Sequence, residues 1–190
     1  MKINLIIKII IITLHQSFIG IYAFIDIILP DFTIFSPIRT FLIQIFTGSK
    51  IGRSTRIRKG QYITNIRKLF IGGNCFINRG NIFDNSEIIS IGDNCSIGYS
   101  NTFITTSHYK KEDIENIKNL DKTFFSSPIT IGNNVWITTN CTILPGANIG
   151  DNCIIAAGSV VRGTLESNFI YGGIPAKKIK ETLGFIAKKY

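Results

Sequence analysis

Histidine and charged side chains are scarce in this chain of 190 residues. It contains two histidines, and Asp, Glu, Lys and Arg together make up 17% of the residues, against 45% hydrophobic residues. A disordered chain has the opposite balance, because it has too little apolar surface to offset the entropy of ordering. At this length we expect one folded domain with its own core, plus an appendage. The two histidines also leave few side chains that could act as a base near neutral pH.

An apolar residue recurs at every sixth position over most of the chain. An α-helix repeats after 3.6 residues and a strand after two, so neither element produces this spacing. A fixed short period predicts a solenoid, in which each turn buries its apolar residues against the turns above and below. These apolar residues are Ile51, Ile57, Ile71, Ile77, Phe83, Ile91, Ile97, Phe103, Ile131, Ile137, Ile143, Ile149, Ile155 and Val161.

Two other positions of the repeat indicate its geometry. With the apolar residue as position one, position four holds Asn, Gly or Ser, and Asn and Gly adopt the left-handed backbone conformation at little cost. Position five holds mostly small side chains, which suit a second inward site. We therefore predict an all-β solenoid with a corner every six residues and about three repeats per triangular turn. Position four is Ser54, Gly60, Asn74, Gly80, Asn94, Ser100, Asn134, Asn140, Gly146, Asn152 and Gly158.

All four cysteines, Cys75, Cys95, Cys141 and Cys153, occupy position five. A disulfide framework or a metal site would need irregular spacing that brings the thiols together. We therefore predict four buried, free thiols that act as small hydrophobic residues, as expected in a reducing compartment such as the cytoplasm.

The net charge of +9 is concentrated in residues 50–68 and in the last fourteen residues. Such basic patches fit nucleic acid, an anionic membrane surface or a phosphorylated cofactor. No nucleic-acid motif accompanies them, and aromatic residues are not interleaved for base stacking, so we expect no nucleic-acid partner.

The repeat divides the chain into three parts. Residues 1–47 lack it, and we expect a helix over residues 3–29, a break at Pro30 and a second short helix over residues 37–46. The coil is predicted over residues 48–165, with a protruding loop at 108–128. Residues 166–190 form a tail, with a capping helix from Lys177.

Residues 3–29 are apolar enough to allow three interpretations. The segment packs on the coil or a neighbouring subunit, lies in a membrane interface beside the basic patch, or crosses the membrane. Asp26 and the polar residues near the middle make it a poor span. We do not expect a signal peptide, because no small-x-small cleavage site follows the apolar run.

His108 stands where the repeat is interrupted and the long loop begins. Long excursions from a rigid scaffold usually carry function. An imidazole can take a proton from a hydroxyl or amine at neutral pH, and the chain offers no competing base. His15 lies in the apolar leader, where we expect a structural role.

Four segments, from the last residues of the loop onward, resemble the hexapeptide-repeat acyltransferases, and in particular their maltose/galactoside-type and surface-polysaccharide O-acetyltransferases. The segments are FSSPITIGNNVWI, residues 125–137; ILPGA, residues 143–147; AGSVV, residues 157–161; and GIPAK, residues 173–177. The resemblance implies a left-handed parallel β-helix, a homotrimer, and acetyl-CoA bound between neighbouring subunits, with no metal required. It covers about residues 48–180.

The resemblance also implies roles for individual residues. His108 matches the catalytic base that deprotonates the acceptor hydroxyl. Asn78 matches a contact to the acceptor sugar, and Asp84 or Asn85 falls where a second acceptor contact is expected. Matches to cofactor contacts are Trp136, Thr139, Ala157, Arg162, Gly163, Lys177 and Lys180, of which the two lysines would lie near the nucleotide phosphates.

The chain also departs from the family pattern. The family usually has Gly where this chain has Thr138 and Ala156, and a stretch like TKDIP where it has RGTLE from Arg162. The last difference falls in the turn that holds Arg162 and Gly163.

The function expected from the sequence is acetyl transfer to a saccharide hydroxyl of capsule, lipopolysaccharide or a related polymer, in the cytoplasm or at the inner face of the membrane. N-acylation of an amino sugar and acetylation of an antibiotic remain alternatives, as does a structural β-solenoid without activity. A zinc carbonic anhydrase on the same fold would need three histidine ligands, and only His108 is available in the coils.

Overall fold

The computed structural model describes residues 20–21, 24–25, 28–29, 35–108 and 124–182. The chain from Lys50 onward winds into a parallel β-helix of about five turns, with three sheets as its walls. Sheet A holds β1 (Lys50–Ile51), β4 (Leu69–Ile71), β7 (Ile89–Ile91), β12 (Ile129–Ile131), β15 (Asn148–Ile149) and β18 (Thr164–Leu165). Sheet B holds β2 (Arg56–Ile57), β5 (Phe76–Ile77), β8 (Ser96–Ile97), β13 (Trp136–Ile137), β16 (Ile154–Ile155), β19 (Phe169–Gly173) and β20 (Ala176–Glu181). Sheet C holds β3 (Tyr62–Ile63), β6 (Ile82–Asp84), β9 (Thr102–Ile104), β14 (Thr142–Ile143) and β17 (Val160–Val161).

Among the described residues, a 3-10 helix and a two-stranded antiparallel sheet lie outside the three walls of the coil. A 3-10 helix, Ile66–Lys68, joins the first coil to the second. Strands β10 (Thr106–His108) and β11 (Phe124–Ser126) pair in antiparallel fashion where the chain leaves and re-enters the coil.

The predicted corners are confirmed at every position. All eleven position-four residues have a positive φ, between 55° at Ser100, Asn134 and Asn140 and 81° at Gly60. In this region the Cβ of an ordinary residue crowds the following carbonyl, whereas Gly escapes the clash and Asn tolerates it. The residue type at position four therefore sets where each wall ends and the next begins.

The predicted inward positions are also confirmed. Every position-one and position-five residue is buried. The Phe83 and Phe103 rings of successive coils stack with their centroids 4.7 Å apart. Polar side chains at position five bond to the neighbouring coil: Asn101 donates from Nδ2 to the Thr138 carbonyl at 3.0 Å and accepts from the Cys141 amide at 2.8 Å.

The four cysteines are buried and free, as predicted. Each thiol lies near a carbonyl of the following coil; in Cys141, Sγ donates to the Ala156 carbonyl at 3.2 Å. Burial raises the pKa of the Cys141 and Cys153 thiols, because the thiolate would lose its hydration. These thiols are core residues rather than nucleophiles.

Helix α1 (Ser36–Thr47) closes the open end of the first coil, and the predicted helix over residues 37–46 is confirmed. Its buried face is largely polar. This face covers backbone groups of the first coil, which have no preceding coil as a hydrogen-bond partner. Ser36 Oγ and Arg39 donate to the Ile57 carbonyl at 3.3 and 3.4 Å, and the Ile57 amide donates to Thr40 Oγ1 at 3.3 Å.

The predicted capping helix from Lys177 is wrong at its start. Ala176–Glu181 is strand β20, which pairs antiparallel with β19 along the edge of sheet B. The last coil leaves an edge of unpaired backbone groups, and a strand satisfies them where a helix would not. Lys178 fixes this hairpin, with Nζ 2.7 Å from Glu166 Oε2 and 3.7 Å from the centre of the Phe169 ring. Residues 183–190 lie outside the described residues.

The predicted leader helix over residues 3–29 lies mostly outside the described residues. Within the described ranges, no helix is both long enough and apolar enough to cross a bilayer.

Asn140 provides a test of the corner rule, because it is exposed and has a φ of 55°. Asn140→Ala should lower the free energy of unfolding by about 1 kcal/mol, since Ala pays the full steric cost of the left-handed conformation. Asn140→Gly is the control and should change it less. Denaturant unfolding at one fixed protein concentration measures both. An Ala variant as stable as the Gly variant would contradict the rule.

Candidate active site

A groove of about 540 Å³ runs along the outer face of sheet B and its following corner. Three aromatic side chains line it, together with several hydroxyl and amide groups, one arginine and no carboxylate among the described residues. The lining residues are Arg56, Phe76, Asn78, Ser96, Ile97, Gly98, Tyr99, Trp136, Thr138 and Thr139. Three residues predicted from the sequence, Asn78, Trp136 and Thr139, therefore share one groove.

The register of sheet B explains this convergence. Strands pair in parallel, so residues at equivalent positions stand side by side on the same face. The outward residue is the one immediately before each apolar position. The pairs Arg56 with Phe76, Phe76 with Ser96, and Ser96 with Trp136 form one continuous column. The column continues through Ile154 and Ile170 to Lys180 at the edge strand.

The corner after sheet B forms the second wall of the groove. The Asn78 amide donates to the Ile97 carbonyl at 2.8 Å, and its carbonyl accepts from Gln61 Nε2 at 2.6 Å, so this corner is held from both sides. One coil separates Tyr99 from Thr139, whose Oγ1 donates to the Tyr99 carbonyl at 2.8 Å. The Thr139 carbonyl accepts from the Gly158 amide at 2.9 Å, which puts exposed Ala157 one coil further along the same corner.

Gly98 keeps the corner narrow at this point. A Cβ at Gly98 would lie 1.9 Å from the Thr138 carbonyl oxygen, so only glycine fits between the two coils. Thr138, where the family usually has Gly, is accommodated because its Oγ1 donates to the Ile155 carbonyl at 2.7 Å.

His108 is exposed at the end of β10, directly opposite Phe124 of β11. The two rings lie 4.2 Å apart at an angle of 42°, which orients the imidazole against an aromatic face. His108 does not line the groove of its own chain. The groove lies at the amino end of β9, whereas His108 follows its carboxyl end. The predicted loop residues 109–123 lie outside the described residues.

The two candidates for a second acceptor contact differ in accessibility. Asn85 does not fit this role, because it is fully buried and its amide is used internally. Its Oδ1 accepts from the Asn65 amide at 2.9 Å and its Nδ2 donates to the Asn65 carbonyl at 2.6 Å, which fixes the bend before the 3-10 helix. Asp84, the last residue of β6, is half-buried, and it remains the candidate.

The remaining predicted cofactor residues lie at the carboxyl-terminal end of the coil. Arg162 and Gly163 are exposed in the turn after β17, where Gly163 has a φ of 66°. Lys177 and Lys180 are exposed on β20, at the end of the sheet B column that carries Trp136.

Sequence reasoning missed Arg56, Phe76 and Tyr99 as groove residues. The signal was present for the first two, because both immediately precede a position-one residue and so face outward on sheet B.

The described part of the chain contains no group of three or more His, Cys, Asp or Glu side chains that could hold a metal ion.

A family model described as bacterial transferase hexapeptide (six repeats) matches residues 128–163. The galactoside O-acetyltransferase of Escherichia coli is 49% identical over 57 residues, which is 30% of this chain and 28% of that protein. The chain thus spans under a third of this relative's length. A protein named as a colanic acid biosynthesis acetyltransferase, WcaF of Escherichia coli, is 32% identical over 143 residues, covering 75% of this chain and 74% of that protein.

Solved structures share the same fold. A maltose O-acetyltransferase from Clostridium difficile superposes with a TM-score of 0.77 at 27% identity, covering 90% of this chain and 88% of that chain. A galactoside acetyltransferase in complex with coenzyme A gives a TM-score of 0.70 at 25% identity, covering 90% and 81%. Together with the alignment to WcaF, this shows that the chain belongs to the hexapeptide-repeat acyltransferase family and has its left-handed parallel β-helix. The fold class and the family resemblance are confirmed.

Proposed function

We propose that this protein is an acetyl-CoA-dependent O-acetyltransferase that modifies a saccharide hydroxyl. The observation that carries the proposal is the sheet B groove, which joins Asn78, Trp136 and Thr139 along one wall of a coil of this family. The galactoside acetyltransferase that shares the fold binds coenzyme A. An inert β-solenoid gives no account of a groove lined by three aromatic side chains.

The extended column suits an extended cofactor. The pantetheine arm would run past Trp136, Thr139 and Ala157, and the nucleotide would lie towards Arg162 and Gly163. The exposed ammonium groups of Lys177 and Lys180 would meet its phosphates. The acetyl group would then point towards Asn78. Asp84 pairs with Ile104 at the end of β9 that leads to His108, so it would contact the acceptor from the side of the histidine.

His108 acts as the general base in this proposal. As the acceptor hydroxyl attacks the thioester carbonyl, its proton passes to the imidazole; the C–S bond then breaks and the proton leaves with the thiol. Backbone N–H groups of the coil would stabilise the oxyanion. Since the four thiols are buried core residues, direct transfer is favoured over an acyl-cysteine intermediate.

We further propose that the site is completed by a neighbouring copy in a homotrimer. Within one chain, the groove and His108 lie beyond opposite ends of β9, and this separation supports a site built from two copies. A ring of identical copies would bring His108 of one copy to the groove of the next through a repeated head-to-tail contact.

A surface polysaccharide or its precursor is the acceptor class we favour. WcaF, which aligns over three quarters of its length, is named for colanic acid biosynthesis. The galactoside and maltose enzymes are named for small sugars. The galactoside enzyme aligns over only 57 residues, and the similarity to the maltose enzyme is a structural superposition at 27% identity, so both names carry less weight here.

Replacement of His108 tests the catalytic assignment. His108→Ala should lower kcat by about 10²- to 10⁴-fold, the usual contribution of a general base, while the Kd for acetyl-CoA changes little. His108→Asn is the control for ring packing on Phe124, and it should be equally inactive. The release of the coenzyme A thiol, followed over time, measures kcat. Equilibrium dialysis measures the Kd for acetyl-CoA. Unchanged turnover, or loss of turnover and cofactor binding together, would contradict a pure base role.

We also propose that helix α1 contacts a membrane surface, because its polar face is buried and its apolar face is exposed. Its polar face is buried on the coil, and Ile38, Phe41, Ile45 and Phe46 on the other face are 47 to 59% exposed. An apolar hollow of about 490 Å³ adjoins this face, and exposed Lys50 and Arg53 follow the helix directly. Apolar side chains beside cations fit an anionic bilayer surface.

Vesicle sedimentation of the full chain tests this contact. The protein should pellet with phosphatidylglycerol-containing vesicles and less with phosphatidylcholine alone. The double variant Phe41→Gln and Ile45→Gln should weaken binding by about tenfold or more, since two large apolar side chains are lost from the interface. The control is Ile179→Gln, an equally exposed apolar residue on β20. Equal binding by both variants, or self-association without lipid, would contradict the assignment.

A further inference from the structure

The chain from the start of β1 to the middle of β6 carries cations and no anions. Residues 50–83 contain eight Lys and Arg residues and no Asp or Glu. They are Lys50, Arg53, Arg56, Arg58, Lys59, Arg67, Lys68 and Arg79. This end of the coil is therefore a region of positive potential, which raises the local concentration of anionic ligands.

One of these cations, Arg56, lies in the candidate active site. It lines the groove and is the only charged residue among the described lining residues. It is half-buried, and within the described part of the chain it forms no ion pair; the pairs found there are Lys68 with Glu87 and Lys178 with Glu166. A partly desolvated guanidinium in a groove whose described lining holds no carboxylate favours an anionic ligand.

The position of Arg56 along the column indicates which ligand this is. Arg56 lies three strand spacings from Trp136, on the order of 14 Å, and on the side away from Lys180. The residue next to Arg56 in the ladder is Phe76, which lies on the same coil as Asn78. If the cofactor occupies the column from Trp136 to Lys180, Arg56 falls at the acceptor end.

We propose that the acceptor is an anionic saccharide, and that Arg56 binds its carboxylate or phosphate. The inference rests on the proposed acetyltransferase function, because that function assigns this end of the groove to the acceptor. The planar guanidinium offers two parallel N–H donors to a carboxylate or phosphate. The ring of Phe76 offers an apolar face to the sugar that carries the anion. Arg56 is a specificity-determining residue in this arrangement, and it takes no part in proton transfer.

The single tryptophan of the chain gives a direct readout. Trp136 lines the same groove, so its fluorescence reports occupancy without turnover. The full chain, saturated with coenzyme A, is titrated with cellobiose, with the same disaccharide ending in glucuronic acid, with glucose 1-phosphate and with inorganic phosphate. The uronate and phosphate arms distinguish the two sources of negative charge, and inorganic phosphate tests for an ion without a sugar.

We expect at least one anionic saccharide to bind about tenfold or more tightly than cellobiose, as for a charge-assisted bidentate contact. Arg56→Gln should remove this preference and leave the Kd for coenzyme A unchanged, and Arg56→Lys should retain part of it. Arg53→Gln makes the same change in net charge on the same coil, outside the groove, and should keep the preference. Thermal unfolding confirms that the variants are folded.

Three results would overturn the inference: equal binding of neutral and anionic sugars, equal effects of Arg56→Gln and Arg53→Gln, or inorganic phosphate binding as tightly as the sugar phosphate. Acetyl transfer is measured on the same preparations. Transfer without a charge preference would remove the role of Arg56 and leave the proposed function standing. Absence of acetyl-CoA binding would reject the proposed function itself.

Discussion

The parallel hydrogen-bond ladder between successive coils is the interaction on which the rest of the structure depends. Each coil pairs with the coils before and after it, in a register set by one left-handed corner every six residues. Residues at one position of the repeat therefore stack into columns. The inward columns form the core, and the outward column of sheet B joins Arg56 to Lys180, so one register sets both the packing and the groove.

A solenoid of this kind has two open ends, and each is closed in a different way. At the first coil, α1 presents Ser36, Arg39 and Thr40 to backbone groups that would otherwise be unpaired. This arrangement leaves the apolar face of α1 exposed, where we propose membrane contact. At the last coil, β20 pairs with β19 and shields the edge. Lys177 and Lys180 lie on that strand, so the same closure supplies the cations proposed to meet the nucleotide.

The coil could be predicted from the sequence because its signals are local. Each corner needs a residue that tolerates positive φ, and most inward positions hold an apolar or small side chain, so the roles of Asn134 and Cys141 follow from position alone. The strand at Ala176–Glu181 could not be read in this way, since its partner is the edge left by a distant coil. A short run rich in Lys carries no periodicity strong enough to distinguish strand from helix.

The candidate site was predictable to the extent that a residue's role follows from its position in the repeat. Asn78, Trp136 and Thr139 share a groove because the register brings their coils together. Asn85 was chosen by its place in the sequence, yet its amide is used to hold the Asn65 bend. The separation of His108 from its own groove could not be seen from sequence, because it depends on which side of β9 each residue lies.

The central claim is that one copy supplies His108 and its neighbour supplies the groove. The most direct measurement mixes His108→Ala and Trp136→Ala, two variants that should each be inactive alone, carrying different tags, and assays the purified mixed assemblies. The purified mixed trimers should regain about a third of the wild-type rate, because in a ring of either mixed composition one contact in three joins an intact histidine to an intact groove. Mixed assemblies that stay as inactive as their parents would contradict a site shared between copies.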